Sequence, residues 1–290
     1  MKKWFLPVVS ACLFMLPSAT QAQVKSLLWK ISGNGLPQDS YLFGTIHLIP
    51  AKDYFLPRGT DSLLSRSKKL VVEMDISDPA LPAKMMGAMM LDSGKTLAGL
   101  YTPKEYDYLA KKLEKNYHLP VAALQTMKPI LVQQSLMIKQ FTGTDHTSYE
   151  KKFLEQAEKN GIEVVGLETL EDQLAALDVM TLDEQAKALL KAVRNPKAGE
   201  KSLDKMVKTY KAQDIEALYK AVTEDKADLG KYEDVLLGNR NRNWIPKIAA
   251  MASKETVFIA VGAGHLGGEN GVISLLRKAG YTVEPALTQN

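Results

Sequence analysis

Two histidines occupy the same short motif near opposite ends of the chain. In each case an apolar run leads into a glycine, two further residues and a histidine, as in Gly44-Thr45-Ile46-His47 and Gly262-Ala263-Gly264-His265. Glycine permits a sharp backbone turn at a strand end, and open α/β sheets build binding sites at such ends. We therefore interpret His47 and His265 as a functional pair, whereas His118 and His146 lack this context and are expected to be structural or exposed.

Acidic residues follow two other apolar runs, at Glu73 and Glu168. Burial at these positions would raise the pKa of a carboxyl group unless a cation lay nearby. Two imidazoles and one or two carboxylates would suit a divalent metal ion with an open coordination position, which could activate water for hydrolysis. We predict His47, His265 and Glu168 as metal ligands and Glu73 as the catalytic carboxylate, acting as ligand or general base. Asp75 would share a strand face with Glu73 and stays an alternative.

The second histidine also lies in a loop that matches a dinucleotide-binding pattern. Gly262 to Gly267 reads G-x-G-x-x-G, with an apolar run before it, a helical pattern after it and Glu284 at the end of the next apolar run. A Rossmann domain needs further strands after its first βαβ unit, and the sequence does not offer them. The match is therefore interpreted as incidental, and the spacing from Gly262 to His265 as the informative part.

The N-terminal residues have the composition of a secretory signal peptide. Met1-Lys2-Lys3 is basic, Trp4 to Leu16 is apolar, and small residues end at Ala22. The apolar stretch is short for a membrane span, and the pattern predicts cleavage. We expect a signal peptide at residues 1–22 and an exported protein, periplasmic or secreted. The single cysteine, Cys12, gives a less favoured alternative as a lipid attachment site.

Residues 23–290 are predicted to form one α/β domain. The chain of 290 residues is 46% hydrophobic and 24% charged, which is ordinary for a soluble globular protein. A net charge of +4 gives no case for nucleic-acid binding. Strand-like runs at both ends and in the middle predict a central mixed sheet, with large helical insertions at about 79–145 and 169–252 and the G-x-x-H motifs at strand ends. No stable transmembrane span is predicted in the mature chain.

Several boundaries follow from local signals. Thr102 is expected to cap a helix that begins at Pro103, and Gly161 to end another. A helical pattern from Val121 to Phe141 is interrupted near Pro129. The predicted strands are 27–32, 40–44, 69–75, 162–168, 256–261 and 281–284.

Five short segments of the mature chain occur in a particular order and spacing. They are Gly44-Thr45-Ile46-His47, Val71-Val72-Glu73-Met74-Asp75, Ser148 through Glu168, Arg240-Asn241-Arg242-Asn243-Trp244 and Val261-Gly262-Ala263-Gly264-His265-Leu266. With these segments the mature chain resembles the TraB/GumN family over nearly its full length. That family is related to the TIKI metalloproteases, within a superfamily that also contains erythromycin-esterase-like hydrolases and a haem-binding lipoprotein.

The resemblance implies that the paired histidines and Glu73 form the functional set. In the TIKI branch such a set supports proteolysis with manganese or cobalt as the expected ion, and zinc is an alternative. It also implies an arginine, Arg240 or Arg242, that clamps a substrate carboxylate or forms a structural salt bridge. We favour Arg242, which leads directly into Asn243-Trp244. Many members have Gly-hydrophobic-Asp where this chain has Ser148-Tyr149-Glu150, so its acid is one methylene longer.

The sequence therefore predicts an exported, metal-dependent hydrolase of peptidase type. Its expected partners are a peptide or small-molecule substrate and a divalent metal ion. Two alternatives remain: a metal-free, esterase-like hydrolase with His47 as the base, and a non-catalytic protein that binds haem or a peptide.

Overall fold

A computed structural model describes residues 25–75, 81–140, 145–223 and 230–286. The signal peptide predicted at residues 1–22 and the lipid attachment at Cys12 lie outside these described residues.

A mixed six-stranded sheet forms the centre of the fold and confirms the predicted α/β class. Its strands are β1 (Leu28–Ser32), β2 (Ser40–Thr45), β4 (Lys69–Val72), β6 (Glu163–Gly166), β7 (Val257–Gly262) and β8 (Thr282–Pro285), and a small second sheet pairs β3 (Ile49–Pro50) with β5 (His146–Thr147). The spatial order is β6-β4-β7-β2-β1-β8. The first four of these are mutually parallel, and β1 runs antiparallel to both of its neighbours.

Strand β7 shows why this sheet forms. It is buried from Val257 to Val261, as expected for a continuous apolar run in a parallel strand with a neighbour on each side. Aromatic side chains then attach a helix to the sheet. The ring of Phe153 meets Phe43 of β2 at a centroid distance of 5.1 Å and Phe258 of β7 at 5.5 Å.

Helices fill the connections between the strands. They are α1 (Thr60–Arg66), α2 (Leu81–Ala88), α3 (Pro103–Tyr117), α4 (Val121–Leu124), α5 (Pro129–Gln140), α6 (Tyr149–Asn160), α7 (Leu170–Leu177), α8 (Leu182–Arg194), α9 (Pro196–Lys211), α10 (Ile215–Thr223), α11 (Asn239–Ala252) and α12 (Val272–Lys278). Helices α3, α4, α5 and α8 share an apolar cluster of their own, beside the main core on the sheet. None of the described helices is long and apolar enough to cross a membrane.

Two helix boundaries agree with the sequence signals. The Thr102 side chain accepts a hydrogen bond from the Glu105 amide, and the Glu105 side chain bonds back to the Thr102 amide. This reciprocal pair satisfies amide groups that the first turn leaves without partners. Helix α6 ends at Gly161, which has a left-handed φ of 62°. Both predictions are confirmed.

A predicted strand is shorter in the structure. The strand expected to reach Asp75 ends at Val72, because the side chain of Glu73, rather than its backbone, accepts the amide of Gly262 on the neighbouring strand. The alternation that would have put Asp75 on the face of Glu73 therefore does not apply.

The predicted interruption of the helical pattern near Pro129 is confirmed. The pattern that starts at Val121 forms α4 and α5, and Pro129 begins the second helix, where its missing amide costs nothing.

The glycines that open the two histidine motifs allow a close approach of backbone and side chains. Gly262 has a φ of −52°, and Gly44 is not among the described residues with positive φ, so neither position depends on the left-handed conformation that glycine favours. A Cβ on Gly44 would lie 3.1 Å from Cα of Ala263, and one on Gly262 would lie 3.1 Å from Oε1 of Glu73. Small residues thus let these segments touch.

This close approach predicts a cost for a single methyl group. We expect Gly44→Ala to lower the free energy of unfolding by about 1–3 kcal/mol through overpacking. The matched control is Gly87→Ala on α2, where an added Cβ meets nothing within 4 Å and should stabilise the helix by about 0.5–1 kcal/mol. Urea unfolding measures both, and equal effects would contradict the close-approach argument.

Candidate functional site

Four neighbouring strand ends carry four of the candidate side chains. Parallel strands β6, β4, β7 and β2 lie side by side in that order, and their carboxyl ends lead to Glu168, Glu73, His265 and His47 respectively. The register of β2 and β7 pairs Thr45 with Gly262, so the two G-x-x-H motifs start one residue apart on neighbouring strands. One edge of the sheet therefore holds both motifs and both acids.

Arg240 of α11 joins the two glutamates and one histidine. Its Nη2 donates to Oε2 of Glu73 at 2.8 Å and to Oε2 of Glu168 at 2.8 Å, and its Nε donates to Oε1 of Glu168 at 2.8 Å. Its Nη1 donates to the Leu236 carbonyl at 3.0 Å and lies 3.3 Å from Nε2 of His265. A guanidinium has five N–H donors, and these contacts engage all of them. The geometry thus favours a structural salt bridge over a substrate clamp.

The carboxylate of Glu168 is fully occupied by hydrogen bonds. Besides the bonds from Arg240, Oε1 accepts the indole N–H of Trp244 at 2.9 Å, and Oε2 accepts a second bond from Nε of Arg240 at 3.1 Å. A carboxylate has about four lone-pair positions, and this network uses them. With its side chain only 5% exposed, Glu168 is placed to hold Arg240 rather than to face a bound ligand.

Glu73 follows β4, so it lies between Glu168, after β6, and His265, after β7, along this edge of the sheet. Its Oε1 accepts the amide of Gly262 at 2.7 Å and lies 3.9 Å from Nε2 of His265. Burial would raise the pKa of Glu73, but the charges of His265, Arg240 and His47, together with the Gly262 amide, hold it at about 2. Glu73 is therefore ionised at neutral pH and is a weak base.

His265 is buried and held from several sides. Its Nδ1 lies 2.6 Å from Oδ1 of Asn241, and its ring lies 4.5 Å from the ring of Trp244 between centroids. Burial, together with the charges of Arg240 and His47, lowers the pKa of His265 to about 4 against the opposing effect of Glu73. The imidazole is therefore uncharged at neutral pH.

His47 has a different environment, with its side chain 76% exposed. Its Nδ1 lies 3.0 Å from Oε1 of Glu150, and the same oxygen accepts the Thr45 hydroxyl at 2.6 Å. The Ser148 hydroxyl donates to the other oxygen of Glu150 at 2.9 Å. The hydrogen bond to Glu150 raises the pKa of His47 to about 9, so this imidazole carries a proton at neutral pH. The longer acid of the Ser-Tyr-Glu segment thus bonds directly to His47.

The arginine in the site is Arg240, and the preferred candidate Arg242 lies elsewhere. Arg242 is 40% exposed and pairs with Asp234 at 2.6 Å, and it also donates to Asn239 at 2.7 Å. A π-helical turn, Asp234–Gly238, immediately precedes α11, so an ordinary helical period cannot be carried through this segment. Such turns are frequent at functional sites.

The sequence reasoning gave no role to Asn241, Thr45 or Tyr210. Asn241 contacts the ring of His265, Thr45 contacts Glu150, and the hydroxyl of Tyr210 donates to the Gly44 carbonyl at 2.8 Å. Asn241 and Thr45 each stand within a segment that carries the family resemblance, which is the one signal that could have drawn attention to them. Tyr210 belongs to α9, and nothing in its own segment indicates this contact.

The described residues hold no group of three or more His, Cys, Asp or Glu side chains arranged to bind a metal ion. Two potential ligand atoms nevertheless lie near each other, Nε2 of His265 and Oε1 of Glu73, 3.9 Å apart. Imidazole nitrogen and carboxylate oxygen are both ligands for zinc, manganese and cobalt. This edge of the sheet therefore offers two potential metal ligands, His265 and Glu73, next to the buried ion pair that Arg240 forms with the two glutamates.

An α/β fold with histidines and ionised carboxylates on adjacent strand ends defines a protein with a polar site at the carboxyl edge of its sheet. The family model described as TraB/PrgY/gumN matches residues 27–285. The chain belongs to the TraB/PrgY/gumN family.

Curated relatives include several proteins named as metalloproteases. Metalloprotease TIKI1 of Danio rerio is 22% identical over 322 aligned residues, covering 91% of this chain and 64% of the relative. Metalloprotease TIKI homolog of Amphimedon queenslandica is 25% identical over 332, covering 93% and 64%. Metalloprotease TIKI1 of Homo sapiens is 22% identical over 324, covering 92% and 63%. The chain thus spans less than two thirds of the length of these relatives. No solved structure matches it significantly.

The buried ion pair predicts a large difference between the two arginines. Arg240→Leu leaves Glu73 and Glu168 without their cation, and we expect a loss of about 3–5 kcal/mol in the free energy of unfolding. Arg242→Leu makes the same change on the same helix but removes an exposed pair, which should cost about 0–1 kcal/mol. Urea unfolding of both variants tests this, and similar losses would argue against a structural role for Arg240.

The contact between His47 and Glu150 predicts an unusual titration. The folded-state pKa of His47 is about 9 against an ordinary value of 6.5, so the bound proton favours the folded state. That contribution is complete below pH 6.5 and is lost as the pH rises through about 9. Glu150→Gln should bring the NMR titration of His47 back toward 6.5. Glu155→Gln, at an exposed position on α6, is the control; an unchanged titration in Glu150→Gln would refute the assignment.

Proposed function

We propose that the chain is an exported, metal-dependent hydrolase that cleaves peptides at the carboxyl edge of its central sheet. The observation that carries the proposal is the pairing of β2 with β7, which brings the two G-x-x-H motifs together beside Glu73. The names of the TIKI relatives supply the reaction type, proteolysis with a metal ion.

The donor set fits a divalent ion in chemical type. His265 would bind through Nε2, in place of the contact that this nitrogen makes with Nη1 of Arg240, and Glu73 would bind through Oε1, 3.9 Å away. His47 would bind through Nε2, because its Nδ1 faces Glu150. Manganese, cobalt and zinc all accept such ligands, and a bound ion would supply the activation of water for attack on the peptide carbonyl.

The protein's own groups prepare this site. A pKa of about 2 keeps Glu73 ionised, which suits a ligand better than a general base. Glu168, considered from the sequence as a ligand, is proposed instead to orient Arg240, because its lone pairs are already used. Arg240 in turn donates to Oε2 of Glu73, while the amide of Gly262 donates to Oε1.

Proton release should accompany metal binding. His47 is protonated at neutral pH because Glu150 raises its pKa to about 9, and only the neutral imidazole can act as a ligand. Metal affinity should therefore rise with pH until His47 is deprotonated. Glu150 would then hold the Nδ1–H of the bound imidazole, the usual arrangement of a carboxylate behind a histidine ligand.

A metal-free hydrolase is the second candidate. One observation favours it: His265 is uncharged and buried beside Glu73 and Arg240, so its ring could accept a proton from water. His47, the base first considered from the sequence, is charged at neutral pH and could only donate a proton.

The proposed export of the protein rests on the signal peptide predicted at residues 1–22.

Metal content and chelation separate these candidates. We expect purified protein to contain a divalent ion, and peptide cleavage to stop on chelation and return with manganese, cobalt or zinc. His47→Ala, His265→Ala and Glu73→Gln should each lower kcat/KM more than about 100-fold, beyond the effect typical of an outer-shell change. His118→Asn is the control, because His118 ends α3 in a left-handed conformation that asparagine tolerates.

The contrary outcomes are equally specific. Cleavage that survives chelation but requires His265 would support the metal-free hydrolase and refute the metal. A metal-loaded protein that cleaves no peptide in a mixed-sequence library would refute the peptidase assignment.

A further inference from the structure

We propose that Asn241 is a positioning residue that fixes the tautomer of His265, with the proton on Nδ1 and the lone pair on Nε2. Asn241 is 1% exposed and lies on α11, one residue after Arg240. Its Oδ1 is 2.6 Å from Nδ1 of His265. Its Nδ2 donates to the Asn270 carbonyl at 2.9 Å and to the His265 carbonyl at 3.3 Å.

The two carbonyl groups determine the orientation of the Asn241 amide. A carbonyl oxygen only accepts hydrogen bonds, so the NH₂ group of Asn241 must face the carbonyls of His265 and Asn270. The flipped amide would place Oδ1 against two other acceptors in a buried site, which is costly. Oδ1 therefore faces the imidazole, and because Oδ1 can only accept, Nδ1 of His265 must carry the proton.

The opposite side of the ring requires the same tautomer. Nη1 of Arg240 lies 3.3 Å from Nε2 of His265, and a guanidinium nitrogen can only donate. A proton on Nε2 would point at that cation, whereas a lone pair accepts from it. The ring of Trp244, 4.5 Å away between centroids and tilted by 36°, restricts rotation of the imidazole. Both nitrogens are thus assigned by independent neighbours.

This arrangement makes the two G-x-x-H histidines inequivalent. Nδ1 of His47 faces the carboxylate of Glu150, whereas Nδ1 of His265 faces the neutral amide of Asn241. Nε2 of His265 therefore carries the lone pair, which faces Nη1 of Arg240, and Oε1 of Glu73 lies 3.9 Å from the same nitrogen. Its use in binding an ion or receiving a proton rests on the proposed function, but the tautomer does not.

Nitrogen NMR of the full chain reads the tautomer directly. In ¹⁵N-labelled protein, the His265 signals are assigned by their loss in His265→Gln. We expect the ¹⁵N chemical shift of Nδ1 to be that of a protonated ring nitrogen and the shift of Nε2 to be that of an unprotonated one. Asn241→Leu removes the acceptor without changing the size greatly, and should give a mixture of tautomers or the Nε2–H form. Asn243→Leu, the same change at an exposed position on α11, should leave the spectrum unchanged.

Two further readings complete the test. Asn241→Asp keeps an acceptor for Nδ1 and should keep its proton. If the protein is a hydrolase, Asn241→Leu should lower kcat or metal affinity about 10- to 100-fold with little change in KM. A wild-type spectrum with the proton on Nε2, or an Asn241→Leu spectrum identical to wild type, overturns the proposal. The wild-type spectrum decides even if the Leu variant does not fold, or if no substrate is ever cleaved.

Discussion

The buried ion pair of Arg240 with Glu73 and Glu168 is the constraint on which the edge of the sheet depends. Two carboxylates with little access to water would repel each other and gain protons unless a cation stood between them. The guanidinium meets this need with bonds to both acids, and Trp244 adds a further donor. Because Arg240 belongs to α11 and the two acids directly follow β4 and β6, this one side chain also connects a helix to the ends of two strands.

The surroundings of the two histidines explain their different states. His265 is buried and lies against Arg240, where a second positive charge would be unfavourable, and Asn241 offers it a neutral partner. His47 lies farther along the row, beside the anionic Glu150. The same motif on adjacent strands thus gives one neutral and one charged imidazole, because the two rings have different neighbours: Asn241 beside His265 and Glu150 beside His47. Separated pKa values of this kind are characteristic of sites that carry out chemistry.

The strands and the shared edge were predictable because their signals are local: apolar runs, glycines and an acid or histidine just beyond. Which of Arg240 and Arg242 lies in the site was not predictable. That depends on the rotational phase of the helix, and the π-helical turn before α11 shifts this phase. The sequence also could not predict that hydrogen bonds use all the lone pairs of Glu168, or that Asn241 bonds to the ring of His265. Both depend on the directions of lone pairs on residues that lie far apart in the sequence. The strand end at Val72 depends on a side chain that replaces a backbone acceptor.

The pairing of β2 with β7 has a consequence for when the site comes into being. Ser40 and Val257, which face each other across this pair, are 217 positions apart, so their contact closes a very long loop. A chain still under synthesis has only the first motif until β7 has also been made, and it cannot bring both motifs together before then. Whatever chemistry this edge performs therefore begins only after the two distant strands have paired.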